Sequence, residues 1–206
     1  MSGIAGQAGD PDTAARLALA RYVLSETDPP YWTVVTYALL HGSWAHILLN
    51  SVWLAAFGTP IARRCGPMRF IVLGVASAVG GAAAHLLANS TSVIPMIGAS
   101  AAVSGMMGAA ARFVFGTGAG RFGPNDLLVH PASHPRLSLL GVVRNSQAAI
   151  FLGIWFVSNL LFGLIATPLG ITDAGIAWEA HIGGFVVGLL IFPLVDRAEP
   201  VRFRAT

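Results

Sequence analysis

Five stretches of this chain are long and apolar enough to cross a lipid bilayer, and that property rules out most folds. They run over residues 44–61, 70–88, 93–111, 148–166 and 176–195, the first with an apolar lead-in from Trp32. A spanning helix needs roughly 17–25 residues, and continuous apolar runs of this length read as helices. Only 10% of the residues are charged and the mean hydropathy is +0.70, whereas a soluble domain carries roughly 25% charged residues. The expectation is an all-α polytopic membrane helix bundle. Gly and other small residues are frequent inside the stretches, as in membrane helices that pack closely. No tandem repeat is visible.

The positive charge is placed by topology. All 12 basic residues are Arg, and with nine acidic residues the net charge is +3. A pI of 9.8 could suggest nucleic acid, but no basic stripe with interleaved aromatics exists. Arg63, Arg64 and Arg69 lie between the first two stretches. Arg112, Arg121, Arg136 and Arg144 lie between the third and fourth, and Arg197, Arg202 and Arg204 follow the last. Positive charge gathers on the cytoplasmic side, so residues 116–147 read as an irregular cytoplasmic loop and 197–206 as a cytoplasmic tail. Residues 89–92 and 167–175, without Arg, face outward. Residues 1–31 read as a polar or interfacial segment with no signal peptide. Within them, residues 13–24 carry Arg16 and Arg21, form an apolar run too short to span, and read as an interfacial amphipathic helix or the remnant of a region whose preceding helix is missing. The single Cys65 excludes an intrachain disulfide.

Against this apolar background, a few polar side chains stand out. Polar groups inside a membrane are expensive and are functional candidates by default. His46 and Asn50, four residues apart on one helical face, enter near the outer end of the first stretch. Ser100 lies a few residues into the third and His181 a few residues into the fifth. The topology puts all four in the outer half of the bilayer at similar depth. Ala101, Gly105 and Gly108 form a small-residue stripe in the third stretch. Gly184 and Gly188 form a GxxxG pair on the His181 face, which would let the two helices approach.

A serine within reach of a histidine makes a nucleophile and its base. Taken singly, each residue has a plainer reading. Ser in a membrane helix usually bonds back to a carbonyl one turn earlier, as expected for Ser104 and Ser158. His85 reads as a structural hydrogen-bond partner, and Asn50 and Asn159 could be interhelical glue. Glu179, two residues from His181, would point to a different face, leaving no third carboxylate. His130 and His134 could in principle bind a metal, but solvated loop residues fit better. A metal site of His46, His181 and Asn50 is weak because Asn is a poor partner for imidazole-favouring metals. A transporter would want charged residues at mid-membrane.

The motifs W-T-V-V-T-Y-A-L-L-H-G-S-W-A-H-I-L-L-N, G-A-S-A at residues 98–101 and A-H-I-G-G-F-V-V-G at residues 180–188 occur in the order found in the rhomboid intramembrane serine proteases, which the chain resembles from Trp32 to residue 196. The resemblance, to bacterial-type members, implies Ser100 as nucleophile and His181 as general base. It implies His46 and Asn50 as oxyanion donors, with Gly98, Ala101, Gly105, Gly184 and Gly188 packing the helices around them. His41 matches a further recurrent histidine of structural character. It also implies a transmembrane protein as substrate, the bilayer as environment, no nucleic acid, no metal and no cofactor, and a bacterial inner membrane as location. Residues 167–175 would form a mobile cap over Ser100.

Three departures stand out. Ala101 replaces the usual Gly after the nucleophile, and its methyl is expected to crowd the close helix contact. Thr33 follows Trp32 where many members have Arg. The first of the family's six helices has no counterpart among the five stretches. The alternative is therefore an inactive or N-terminally truncated relative that binds membrane clients. The topology is tested by single-cysteine labelling: a membrane-impermeant reagent applied outside should modify residues 167–175 and spare 116–147, and the reverse pattern would invert the assignment.

Overall fold

The computed structural model describes residues 31–89, 96–116, 131–165 and 176–197. Helical turns at Thr33–Thr36 and Tyr37–Leu39 precede six helices: α1 Trp44–Cys65, α2 Pro67–Ala88, α3 Ser100–Ala111, α4 Leu139–Arg144, α5 Ser146–Ile165 and α6 Trp178–Val195. The fold is all-helical. Helices α1, α2, α5 and α6 are long and apolar enough to cross a membrane, and α3 is apolar but shorter.

The helix ends follow from local chemistry. Ser43, with extended backbone, caps α1 by accepting the His46 N–H at 3.1 Å. Pro60 lies inside α1, where it has no N–H and its ring would strike the Ala56 carbonyl. The preceding turn, Leu54–Gly58, widens into a π-helix, which accommodates the proline without ending the helix. Helix α1 stops at Gly66, whose φ of +84° suits glycine alone. Pro67 then occupies the first turn of α2, where a missing N–H costs nothing.

Two expectations about element boundaries are corrected. The third apolar stretch was expected to be helical from residue 93; residues 90–95 lie outside the described residues, and the helix begins only at Ser100 because the chain turns at Gly98. The loop 116–147 was read as irregular, yet it contains α4, and α5 begins at Ser146. Ser138 caps α4 by accepting the Gly141 N–H at 2.9 Å. Asn145 then ends α4 and starts α5: its Oδ1 accepts the Ala148 N–H at 3.0 Å, and its Nδ2 donates to the Phe115 carbonyl at 2.8 Å. Residues 116–130 are described only at Gly116.

Helices α2, α3 and α6 pack on one another at the centre. Ten of the 12 residues of α3 are buried, so α3 is enclosed by protein. By contrast, Leu48, Ile71, Ile150, Ile154 and Leu194 on the surrounding helices are exposed, an outward apolar surface suited to lipid. Helix α5 is the most peripheral long helix, with Ala148 as its buried residue.

Two arginines tie off the end of the bundle where α6 finishes. The Arg64 guanidinium donates to both carboxylate oxygens of Asp196, at 2.8 and 3.0 Å, and to the carbonyls of Pro131 and His134. It also lies 4.5 Å from the Phe113 ring centroid. Arg112 solves a different problem. Pro193 sits inside α6, so the Leu189 carbonyl one turn earlier has no helical N–H to accept. Arg112 Nη1 donates to it at 2.9 Å, while Nε donates to the Leu137 carbonyl at 2.8 Å. Arg112→Leu is therefore expected to lower stability in detergent by about 1–3 kcal/mol, the cost of an orphaned buried acceptor. Adding Pro193→Ala should recover part of that loss by restoring the helical bond to Leu189. Chemical or thermal denaturation of the two variants checks this, and absence of any rescue would refute the assigned pairing.

Candidate active site

The site is built around the turn that starts α3. Gly98 has φ of +111°, and a side chain there would also collide with the His46 ring, whose Nε2 lies 2.6 Å from where a Cβ would sit. Position 98 is thus closed to other residues both by backbone strain and by lack of space. The Gly98 N–H donates to the Tyr37 carbonyl at 3.0 Å. The Tyr37 hydroxyl donates to the Ala78 carbonyl at 2.8 Å, so one buried tyrosine fixes the turn against α2. The sequence reading missed Tyr37; the only signal was an aromatic polar group in an apolar lead-in.

Ser100 is the first residue of α3, not a residue inside a spanning helix. The twelve residues of α3 rise about 18 Å, well short of a hydrocarbon core about 30 Å thick. Its other end is level with Arg112 and the Arg64–Asp196 pair, so its N-terminus stops within the bundle. The first N–H groups of a helix have no partner within it and carry the positive end of its dipole. Ser100 therefore sits beside donors suited to a developing negative charge.

Helix α6 lies backbone to backbone against α3. A Cβ on Gly184 would run into the Ala101 carbonyl, and one on Gly188 into the Gly105 carbonyl. A Cβ on Gly105 would collide with Ser77 of α2 and crowd the Gly184 carbonyl. At this separation His181 Nε2 reaches Ser100 Oγ at 2.8 Å. The expected crowding by Ala101 does not arise. Gly184 meets the Ala101 carbonyl and Cα, while the Ala101 methyl points to Gly81 of α2, where a Cβ would collide with it. The room for the extra methyl comes from a glycine on the third helix.

The other polar residues fall into separate groups. His46 and Asn50 flank the Gly98 turn, with Asn50 Nδ2 3.7 Å from the position of a Gly98 Cβ. Asn50 is buried and donates from Nδ2 to the His46 carbonyl at 3.2 Å. His41 packs edge to face on His46, with ring centroids 5.0 Å apart. Glu179 turns away from His181, receiving His85 Nδ1 at 2.8 Å and the Asn89 side-chain amide, which gives His85 the structural partner expected of it. His134 lies at the opposite end of the bundle, where its carbonyl meets Arg64. His130 and residues 167–175 lie outside the described residues. Among the described residues, no group of three or more His, Cys, Asp or Glu could hold a metal ion.

His181 has a second partner that the sequence reading left among possible helix glue. Its Nδ1 lies 2.6 Å from Asn159 Oδ1 of α5, and Asn159 Nδ2 donates to the Trp178 carbonyl at 3.1 Å. An asparagine deep in the apolar α5 was the available signal, but nothing in the sequence says which helix it faces.

The family profile described as Rhomboid domain matches residues 28–197. RHOMBOID-like protein 12, mitochondrial, of Arabidopsis thaliana is 28% identical over 190 residues, covering 84% of this chain and 48% of that protein. RHOMBOID-like protein 5 of the same plant is 32% identical over 92 residues, covering 45% of this chain and 29% of that protein. The chain thus spans about half the length of the first relative and under a third of the second. Both are plant proteins, so they support the family and not a bacterial branch of it.

The α3–α6 contact is open to direct test. Gly184→Val should force the two backbones apart beside Ser100, an overpacking that costs about 1–3 kcal/mol. The melting temperature should fall, and a serine-reactive fluorophosphonate should no longer label Ser100. Labelling at the unmodified rate would show that the glycine contact does not set the Ser100–His181 distance.

Proposed function

Because the chain belongs to the rhomboid family, a family of serine proteases, we propose that this multi-pass membrane protein is an intramembrane serine endopeptidase. It hydrolyses a peptide bond in or next to a transmembrane helix of a substrate protein. The observation that carries the reading is the 2.8 Å contact between Ser100 Oγ and His181 Nε2, at the N-terminus of a helix shorter than the hydrocarbon core is thick.

In this reading His181 Nε2 accepts the Ser100 proton as Oγ attacks the scissile carbonyl. The resulting oxyanion is stabilised by the Ser100 backbone N–H, the α3 dipole, and the side chains of Asn50 and His46. The intermediate collapses as the imidazolium returns its proton to the departing amine. The acyl-enzyme is then hydrolysed by a water that His181 deprotonates in turn, which restores both residues. No metal or cofactor has a step in this scheme.

The membrane sets two further demands. Hydrolysis needs water, which the hydrocarbon core lacks, so the reading requires a wet recess that reaches Ser100. The scissile carbonyl must also be free of helical hydrogen bonding, so substrates with small or helix-breaking residues near the cut are favoured.

The test is cleavage of a single-span membrane substrate in proteoliposomes. Ser100→Ala and His181→Ala should each abolish cleavage while leaving the protein folded and inserted. Asn50→Ala should slow turnover by about one to three orders of magnitude, as loss of an oxyanion donor does. Wild-type turnover in Ser100→Ala would overturn the proposed function. An unchanged rate in Asn50→Ala would remove that residue from the oxyanion site.

A further inference from the structure

We propose that Asn159 is a positioning residue that sets the tautomer of His181, so that the site works as a directed chain of three side chains on three helices. The proposal rests on the serine-protease reading above. Its starting point is a group whose role is unambiguous. The Trp178 carbonyl can only accept a hydrogen bond, so the side-chain atom of Asn159 that faces it at 3.1 Å is the amide nitrogen. That places Asn159 Oδ1, also only an acceptor, 2.6 Å from His181 Nδ1. The imidazole must therefore carry its proton on Nδ1. In the neutral ring the lone pair is then on Nε2, which faces Ser100 Oγ at 2.8 Å. The Ser100 hydroxyl is left to donate. Every bond in the chain runs one way, from Ser100 to His181 to Asn159 and on to the α6 backbone.

The opposite tautomer would be unproductive. With the proton on Nε2, the imidazole would donate to Ser100 Oγ and could not take its proton, while the bare Nδ1 would face the bare Asn159 Oδ1. Asn159 excludes that state by lone-pair repulsion at 2.6 Å. The same Oδ1 continues to accept from Nδ1–H when Nε2 has gained its proton, so Asn159 also supports the imidazolium formed during turnover.

The surroundings hold Asn159 in this role. Helix α5 is otherwise lightly attached, yet it is fastened near His181. Trp155 stacks on Phe185 of α6 with ring centroids 4.9 Å apart, and Gly163 lets Trp178 lie directly on the α5 backbone. These contacts are one turn before and one turn after Asn159. An asparagine amide in a membrane helix is costly unless both its ends are used, and here they are. Glu179, the carboxylate nearest to His181 in sequence, is engaged by His85 of α2 and by Asn89 just past its end and does not substitute for Asn159.

The experiment compares the wild type with Asn159→Leu, which keeps the volume and suits the bilayer but removes the acceptor, and with Asn159→Asp, which keeps an acceptor at the same place. The tautomer of His181 is read by 15N NMR of histidine-labelled protein in micelles, with His181→Gln used to assign the signal. Cleavage kinetics and fluorophosphonate labelling are measured in parallel, and melting temperatures confirm that each variant is folded. The wild type should show the Nδ1–H tautomer. Asn159→Leu should lose that preference and lower kcat by about ten- to a hundredfold, the range expected for one hydrogen bond to a charged group, with KM little changed. Asn159→Asp should retain the tautomer and recover much of the rate. An Nε2–H tautomer in the wild type, or an unchanged tautomer and kcat in Asn159→Leu, would overturn the proposal. If the wild type cleaves no better than Ser100→Ala, the proposed function fails, and the NMR comparison still decides whether Asn159 sets the ring.

Discussion

The backbone contact between α3 and α6 is the constraint on which the rest of the structure depends. Within a bilayer there is no hydrophobic force between helices, because lipid tails are as apolar as leucine. Helices associate when their surfaces fit closely enough for dispersion and weak polar contacts to outweigh contact with lipid. Gly184 and Gly188 on one helix, and Ala101 and Gly105 on the other, give that fit. Ser77 of α2 also lies against Gly105, so α2, α3 and α6 form one block. The 2.8 Å separation of Ser100 and His181 is a consequence of this block and not of a local motif, since the two residues lie 81 positions apart.

Around that block, the polar groups are handled in two ways. At the end where α6 finishes, arginines meet a carbonyl freed by proline and a buried carboxylate just past the helix end, as with Arg112 at Leu189 and Arg64 at Asp196. These contacts anchor the foot of α6. At the other end, the polar groups converge on the start of α3, whose first N–H groups have no partner within the helix. The same physical rule, that polar groups in hydrocarbon must be partnered, makes a clasp at one end and gathers Ser100, His181 and Asn159 at the other.

The departures from the family pattern gain meaning from this geometry. Ala101 is tolerated because Gly81 of α2 receives its methyl, a compensation on a helix that the motif does not include. His181 is held through Asn159 from α5, the helix least buried in the bundle. The chain spans about half the length of one plant relative, and its family membership rests on residues 28–197.

The sequence alone determined an all-helical membrane fold, the approximate positions of its four long apolar helices and the candidates Ser100, His181, His46 and Asn50. It could do so because transfer into lipid is a local, additive cost: long apolar runs are legible one segment at a time, and a polar residue within them is conspicuous. Only the tertiary structure decided that α3 begins at Ser100, that the Ala101 methyl meets Gly81, that Arg112 serves the carbonyl freed by Pro193, and that Asn159 faces His181. Each of these is a lateral contact between helices distant in sequence. Such contacts depend on how the helices are rotated and how closely they approach, and segment hydropathy carries no information about either.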